Sequence, residues 1–163
     1  MTKEEYLRNV VAIYKAARGL IELTPSDKLD YKPLEGTMTI AQVLKHCAHC
    51  LGDMAVMGIH EKWPEMSEDE MLPPADALPA SASVEEALEE IDKDWELMKD
   101  EFEKLQEDDF NSKTVHAPWE PKPRLLIDYM MQTMEHLSNH RMQLFIWLKL
   151  SGEKLNTMHL YGM

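Results

Sequence analysis

Basic residues are scarce in this sequence: 17 Lys and Arg stand against 30 Asp and Glu, a formal net charge of -13. A phosphate backbone needs a basic footprint, and no Lys/Arg cluster of useful size exists, so nucleic acid is excluded as a partner. The same charge disfavours an anionic membrane surface. Long apolar runs are missing too. The longest, Leu144–Leu148, stops at Lys149, far short of a membrane span. The opening Met1-Thr2-Lys3-Glu4-Glu5 lacks the basic segment and apolar run of a secretory signal. Cysteine is limited to Cys47 and Cys50, too close together to staple distant parts of the chain, and a reducing cytoplasm is the expected compartment. No phosphate-cradling glycine loop, catalytic-triad spacing or carboxylate pair stands out. The acidic groups Glu65, Glu68, Asp69, Glu70 and Glu85, Glu86, Glu89, Glu90 lack the Asp-x-Asp spacing and glycine turn of a calcium loop and read as solvated surface.

What is present is a globular balance, 44% hydrophobic and 29% charged, over 163 residues, which sets the expectation of one folded domain spanning 1–163. No alternating strand run and no repeat appears, whereas an apolar period of about 3.6 recurs four times. Segment one runs from Lys3 to Glu22, with Tyr6, Val10, Ile13, Tyr14, Ala17, Leu20 and Ile21 on its stripe. Segment two runs from Ile40 to Ile59, capped by Thr39 with Gln42 at the capping-box position. Segment three follows Ser83, with Glu86 at the matching position, and carries Val84, Leu88, Ile91, Trp95, Met98, Phe102 and Leu105. Segment four, Leu125 to Leu150, is the longest, and Gly152 lies where a helix stop belongs. The links between them hold Pro25 and Pro33, then Pro64, Pro73, Pro74 and Pro79, then Pro118, Pro121 and Pro123. The expected fold is an all-α four-helix bundle with long irregular connecting loops.

The richest chemistry lies on segment four. His136 and His140 are four residues apart, so both stand on one side of a helix and can converge on one ion. At about 100° per residue they share a flank of the apolar face with Gln143. On segment two, His46 also lies on a flank, whereas His49 points away toward water. Three neutral imidazoles suit Zn²⁺, Ni²⁺ or Fe²⁺ and leave a position for water or substrate. The same spacing also suits histidines that only hydrogen-bond within a bundle. It is not the zincin pattern, because Leu137 follows the first histidine, and Glu135 points elsewhere.

Arg141 falls near the middle of the apolar stripe, where an unpaired charge is expensive. A buried carboxylate, with Asp53 and Asp128 as candidates, or loop carbonyls at a bundle end would satisfy it. Cys47 and Cys50 lie mid-helix and not at a helix start in a βαβ setting, so they read as small core or flank residues rather than a redox pair. Cys50 lies close to His46 on the wheel. His116, in the loop before segment four, is a loop histidine that can approach a metal at the bundle end. The 13 methionines, spaced as core stripes, read as adaptable filling.

Two stretches together resemble the DinB-like family, which includes the YfiT-type proteins. One is Thr39-Ile40-Ala41-Gln42-Val43-Leu44-Lys45-His46; the other runs from His136 through His140, Arg141, Met142, Gln143 and Leu144. The Asp30-Tyr31-Lys32-Pro33 link with Gly36, and the closing Leu150-Ser151-Gly152, also fit. The resemblance covers nearly the whole chain, in the same order of helices. It implies a four-helix bundle, often dimeric, in which His46, His136 and His140 hold a divalent metal. It further implies metal-dependent, thiol-dependent transfer or isomerisation with a low-molecular-weight thiol; for this chain a thiol transferase is the first expectation and a hydrolase the second, either acting on a small molecule. The competing expectation is a non-catalytic metal- or ligand-binding stress-response bundle, with a closed site capped by a group such as His116. Met142 stands where many relatives have glycine, and Leu137 and Asn139 where Glu and His are frequent; these departures leave the three ligands intact and name no substrate.

Overall fold

In the computed structural model, residues 1–65 and 73–163 are described, so Glu68, Asp69 and Glu70 lie outside the described residues. The helices are α1 (Lys3–Glu22), α2 (Ile40–Cys47), α3 (Gly52–His60), α4 (Val84–Lys104), α5 (Glu107–Ser112), α6 (Leu126–Leu150) and α7 (Thr157–Leu160). β1 (Thr114–Val115) and β2 (Arg124–Leu125) form a two-residue antiparallel pair that no sequence alternation announces. The pair pinches the proline-bearing loop 116–123 at its base, directly before α6.

α6 packs against α1, α2 and α3, and α4 packs against the same three. The bundle therefore has α1 and the α2–α3 pair on one diagonal, with α4 and α6 on the other. Its apolar stripes meet in one core. Tyr6, Phe102 and Phe110 cluster near one end with ring centroids 5.1–5.5 Å apart. The Tyr6 hydroxyl donates to the Met130 carbonyl at 2.9 Å, so this fully buried phenol leaves no polar atom unsatisfied. No helix is long and apolar enough, among the described residues, to cross a membrane.

The main departure from the expected elements is in segment two. The single helix expected over Ile40–Ile59 is two helices, interrupted between Cys47 and Gly52. Asp94, a buried carboxylate on α4, causes the interruption. Its Oδ2 accepts from the Leu51 backbone N–H and its Oδ1 from the Asp53 N–H, both at 2.9 Å. These are orphan donors at the start of α3, and a carboxylate is also favoured by the helix dipole there. Gly52 lets the chains touch. A Cβ on it would stand 2.2 Å from the Asp94 carbonyl oxygen.

The Thr39 cap forms as expected: the Gln42 N–H donates to Thr39 Oγ1 at 3.2 Å, and the Thr39 N–H to Gln42 Oε1 at 2.8 Å. Gln42 does more than cap. Its Nε2 donates to the Ala75 and Leu78 carbonyls at 2.8 Å each, which ties the loop before α4 over the start of α2. At Ser83 only half of the box forms, because Glu86 Oε2 accepts from the Ala82 N–H instead. Gly152, at φ 106°, ends α6 in a conformation that favours glycine.

Candidate metal centre

α2 and α6 bring His46, His136 and His140 together. Ring centroids are 4.2 Å apart for His46–His140, 4.7 Å for His136–His140 and 5.0 Å for His46–His136. His46 Nε2 and His136 Nε2 face each other at 3.0 Å. Two nitrogens on one tetrahedral cation, at Zn–N of about 2.0–2.1 Å, stand roughly 3.3 Å apart. The observed gap is a few tenths of an ångström from that span.

Each ring is half-buried, and burial is the first cause of its lowered pKa. Burial, with repulsion from the neighbouring imidazoles, pushes His46 down to about 4, and burial followed by the His140 charge does the same to His136. His140 is lowered by burial, against the pull of its hydrogen bond to Gln143. Near neutral pH all three are therefore uncharged, the state in which imidazole binds a metal. His140 Nδ1 donates to Gln143 Oε1 at 2.8 Å. An amide oxygen only accepts, so the proton sits on Nδ1 and the His140 Nε2 lone pair is free. A second partner fixing the tautomer of a ligand histidine is the usual support of a metal site.

Cys50 joins this cluster from the α2–α3 interruption. Its Sγ, with one ring nitrogen each from His46 and His136, forms a group whose atoms all lie within 4.8 Å of one another, a set compatible with a divalent cation. The thiol is 2% exposed and donates to the His46 carbonyl at 3.1 Å. Burial holds it well above the usual thiol range, while the Cys47 thiol, deep in the core, is pushed up to about 12. The expectation of two inert packing cysteines thus holds for Cys47 only in its burial, and Cys50 has a site neighbour.

Other candidate residues lie around the cluster without joining it. His49 is exposed, yet its Nδ1 meets Asp53 Oδ2 at 2.7 Å. His49, Asp53 and Asp94 also gather within 4.8 Å, but the two Asp94 oxygens are already committed to backbone N–H groups. Glu135 is exposed and, with Met54, Trp119, Gln132 and Asn139, lines a cleft of about 460 Å³ that His136 also lines. A second cleft of about 240 Å³ is lined by His46 together with Lys45, His49, Leu78 and Pro79. His116 is exposed, its Nε2 donating to the Glu120 carbonyl at 3.0 Å, and it is not part of the cluster.

Arg141 is buried at the centre of the α6 face, as its position on the stripe requires, but neither Asp53 nor Asp128 meets it. Its Nη2 donates to Ser138 Oγ at 3.3 Å, its guanidinium lies 5.9 Å from the Tyr161 ring centroid, and its Nε has no partner among the described residues. Burial lowers its pKa. The carboxylate expected from sequence is replaced by the face of a C-terminal tyrosine, a cation–π contact that no helical wheel contains.

The fold has counterparts among known proteins. The DinB superfamily model matches residues 10–144. The chain belongs to the DinB superfamily. Its fold is shared with a DinB-family protein from Exiguobacterium sibiricum at 23% identity, TM-score 0.69 and 96% coverage of each chain. It is similar also to a DinB-like protein from Bacillus cereus (14% identity, TM-score 0.74, 93% of each chain). A DinB-like protein from Bacillus subtilis aligns at 15% identity and TM-score 0.69, over 95% of this chain and 97% of that one. No curated protein of assigned function matches the sequence. At these identities the likeness establishes the all-α bundle and carries no reaction with it.

Proposed function

We propose that this DinB-superfamily chain is a cytoplasmic, metal-dependent enzyme in which His46, His136 and His140 hold one Zn²⁺ or Ni²⁺, with Fe²⁺ the third candidate. The observation that supports the reading is the proximity of the three imidazole rings, with centroids 4.2–5.0 Å apart and the His46 and His136 Nε2 atoms 3.0 Å apart. The bound cation supplies Lewis acidity, lowering the pKa of a thiol or water so that a nucleophile exists near neutral pH. The chain's own residues prepare the site. Gln143 holds the His140 tautomer, and burial keeps the rings from protonating. Met54 and Trp119 wall the cleft at His136, while Gln132, Glu135 and Asn139 offer polar contacts to a small molecule.

The proposed reaction is transfer of a low-molecular-weight thiol to an electrophile, with hydrolysis of a small substrate as the second choice. A homodimer is proposed as well. Supporting it, Met142, Ile146 and Leu150 are 41%, 41% and 57% exposed and recur every fourth residue along one side of α6. The test is a thiol-conjugation assay with chelator, then with restored Zn²⁺ or Ni²⁺, on wild type and His136→Ala. Activity that chelator abolishes, metal restores and His136→Ala lacks, with unchanged helical circular dichroism, supports the proposal. Conjugation indifferent to chelator contradicts it.

The alternative, a non-catalytic metal- or ligand-binding bundle, has one observation in its favour. A fourth potential protein ligand stands beside the histidines, and it is Cys50, not the expected His116.

A further inference from the structure

We infer that Cys50 is a fourth, protein-supplied ligand of the histidine centre, giving it a sulfur donor. The inference rests on the three-histidine reading above, and it concerns a residue that the motif carrying that reading does not include.

The placement is specific. His46 is in the last turn of α2, and Cys50 follows it by four residues, after the helix has ended at Cys47. Had the helix continued, Cys50 would sit one turn above His46 on the same flank. In the observed turn Sγ donates to the His46 carbonyl at 3.1 Å, the i−4 contact that a helical turn also gives. From there it remains within 4.8 Å of ligand nitrogens on both His46 and His136. Metal ligation at Zn–S of about 2.3 Å and Zn–N of about 2.0–2.1 Å requires these atoms to close by at most roughly 1 Å. A change in the cysteine side-chain torsion moves Sγ by that much without moving helices.

The environment offers Cys50 little else. It is 2% exposed, and it forms no disulfide with the equally buried Cys47. The exchange balances: the thiol proton leaves to solvent, the Sγ–H hydrogen bond to the His46 carbonyl is given up, and a sulfur–metal bond forms. No oxidant or reductant takes part. A thiolate in the donor set shifts preference toward thiophilic cations such as Zn²⁺. It also gives the centre two conditions: with Sγ on the His46 carbonyl, three imidazoles leave a position open, and with Sγ bound that position is filled.

Cobalt(II) reports the donors directly, since a thiolate ligand adds an intense near-ultraviolet sulfur-to-cobalt band that imidazole lacks. Wild type, Cys50→Ser, Cys47→Ala and His46→Ala are titrated with Co²⁺ while bound metal is counted by equilibrium dialysis. The inference predicts the band in wild type, its retention in Cys47→Ala and its complete loss in Cys50→Ser. The chain has only two cysteines, so a band that survives in Cys47→Ala identifies Cys50 even if Cys50→Ser folds poorly. Bound Co²⁺ without the band, released by His46→Ala, overturns the sulfur ligand and leaves the histidine centre standing. No bound Co²⁺ in wild type overturns both.

Discussion

The two sides of the histidine centre are built in opposite ways. α6 runs unbroken for 25 residues and presents His136 and His140 simply because they are one turn apart. The α2–α3 side presents His46 from the last turn of an eight-residue helix, with a break immediately after it. One ligand pair is placed by local geometry; the break that follows the third ligand is capped by a buried carboxylate on a different helix. Asp94 thus shapes the turn after His46, although it touches none of the histidines in the hydrogen bonds observed.

That contrast can be stressed from both sides at once by acid. In the metal-free protein the unfolded imidazoles titrate near 6.5, while folded His46 and His136 titrate near 4. Between these values the unfolded state binds more protons, so stability is fully present above about pH 6.5 and is lost as pH falls toward 4. Denaturant midpoints measured from pH 7.5 to 4 in chelator should fall over that window. The fall should shrink in a His46→Gln, His136→Gln double variant; an identical profile in both proteins would mean the rings are not buried neutral.

Removing the distant support should affect one side only. Asp94→Ala leaves the Leu51 and Asp53 N–H groups without their acceptor and is expected to cost about 2–3 kcal/mol in urea denaturation. Hydrogen exchange should quicken at the α2–α3 junction while α6 stays protected. Uniform loosening of both helices would show that the two sides are not separately constructed. A smaller effect, about 1–2 kcal/mol, is expected for Gly52→Ala, whose Cβ would overlap the Asp94 backbone and push α3 off α4. A neutral result there would mean the contact relaxes freely.

The same comparison explains how far the sequence could be read. α6 and its histidine pair were legible because everything that places them is local: the stripe, the four-residue spacing and Gly152 after the end. The Thr39–Gln42 box was legible for the same reason. The interruption after Cys47 was not, because the apolar phase of Cys47, Leu51 and Ala55 passes through it unchanged. Its cause, Asp94, lies more than 40 residues away and reads as one more acid on an acidic helix. Arg141 was legible as a buried charge, but its neighbour Tyr161 comes from a tail whose path no periodicity predicts.

The central claim is that these two differently built sides meet on one metal ion. Its most direct measurement is elemental mass spectrometry of untagged protein, wild type beside His46→Ala and Asp94→Ala. The account predicts close to one Zn or Ni per chain in wild type, none retained in His46→Ala, and a reduced content in Asp94→Ala. Wild type without metal after incubation with divalent ions, or full metal content in His46→Ala, would contradict it.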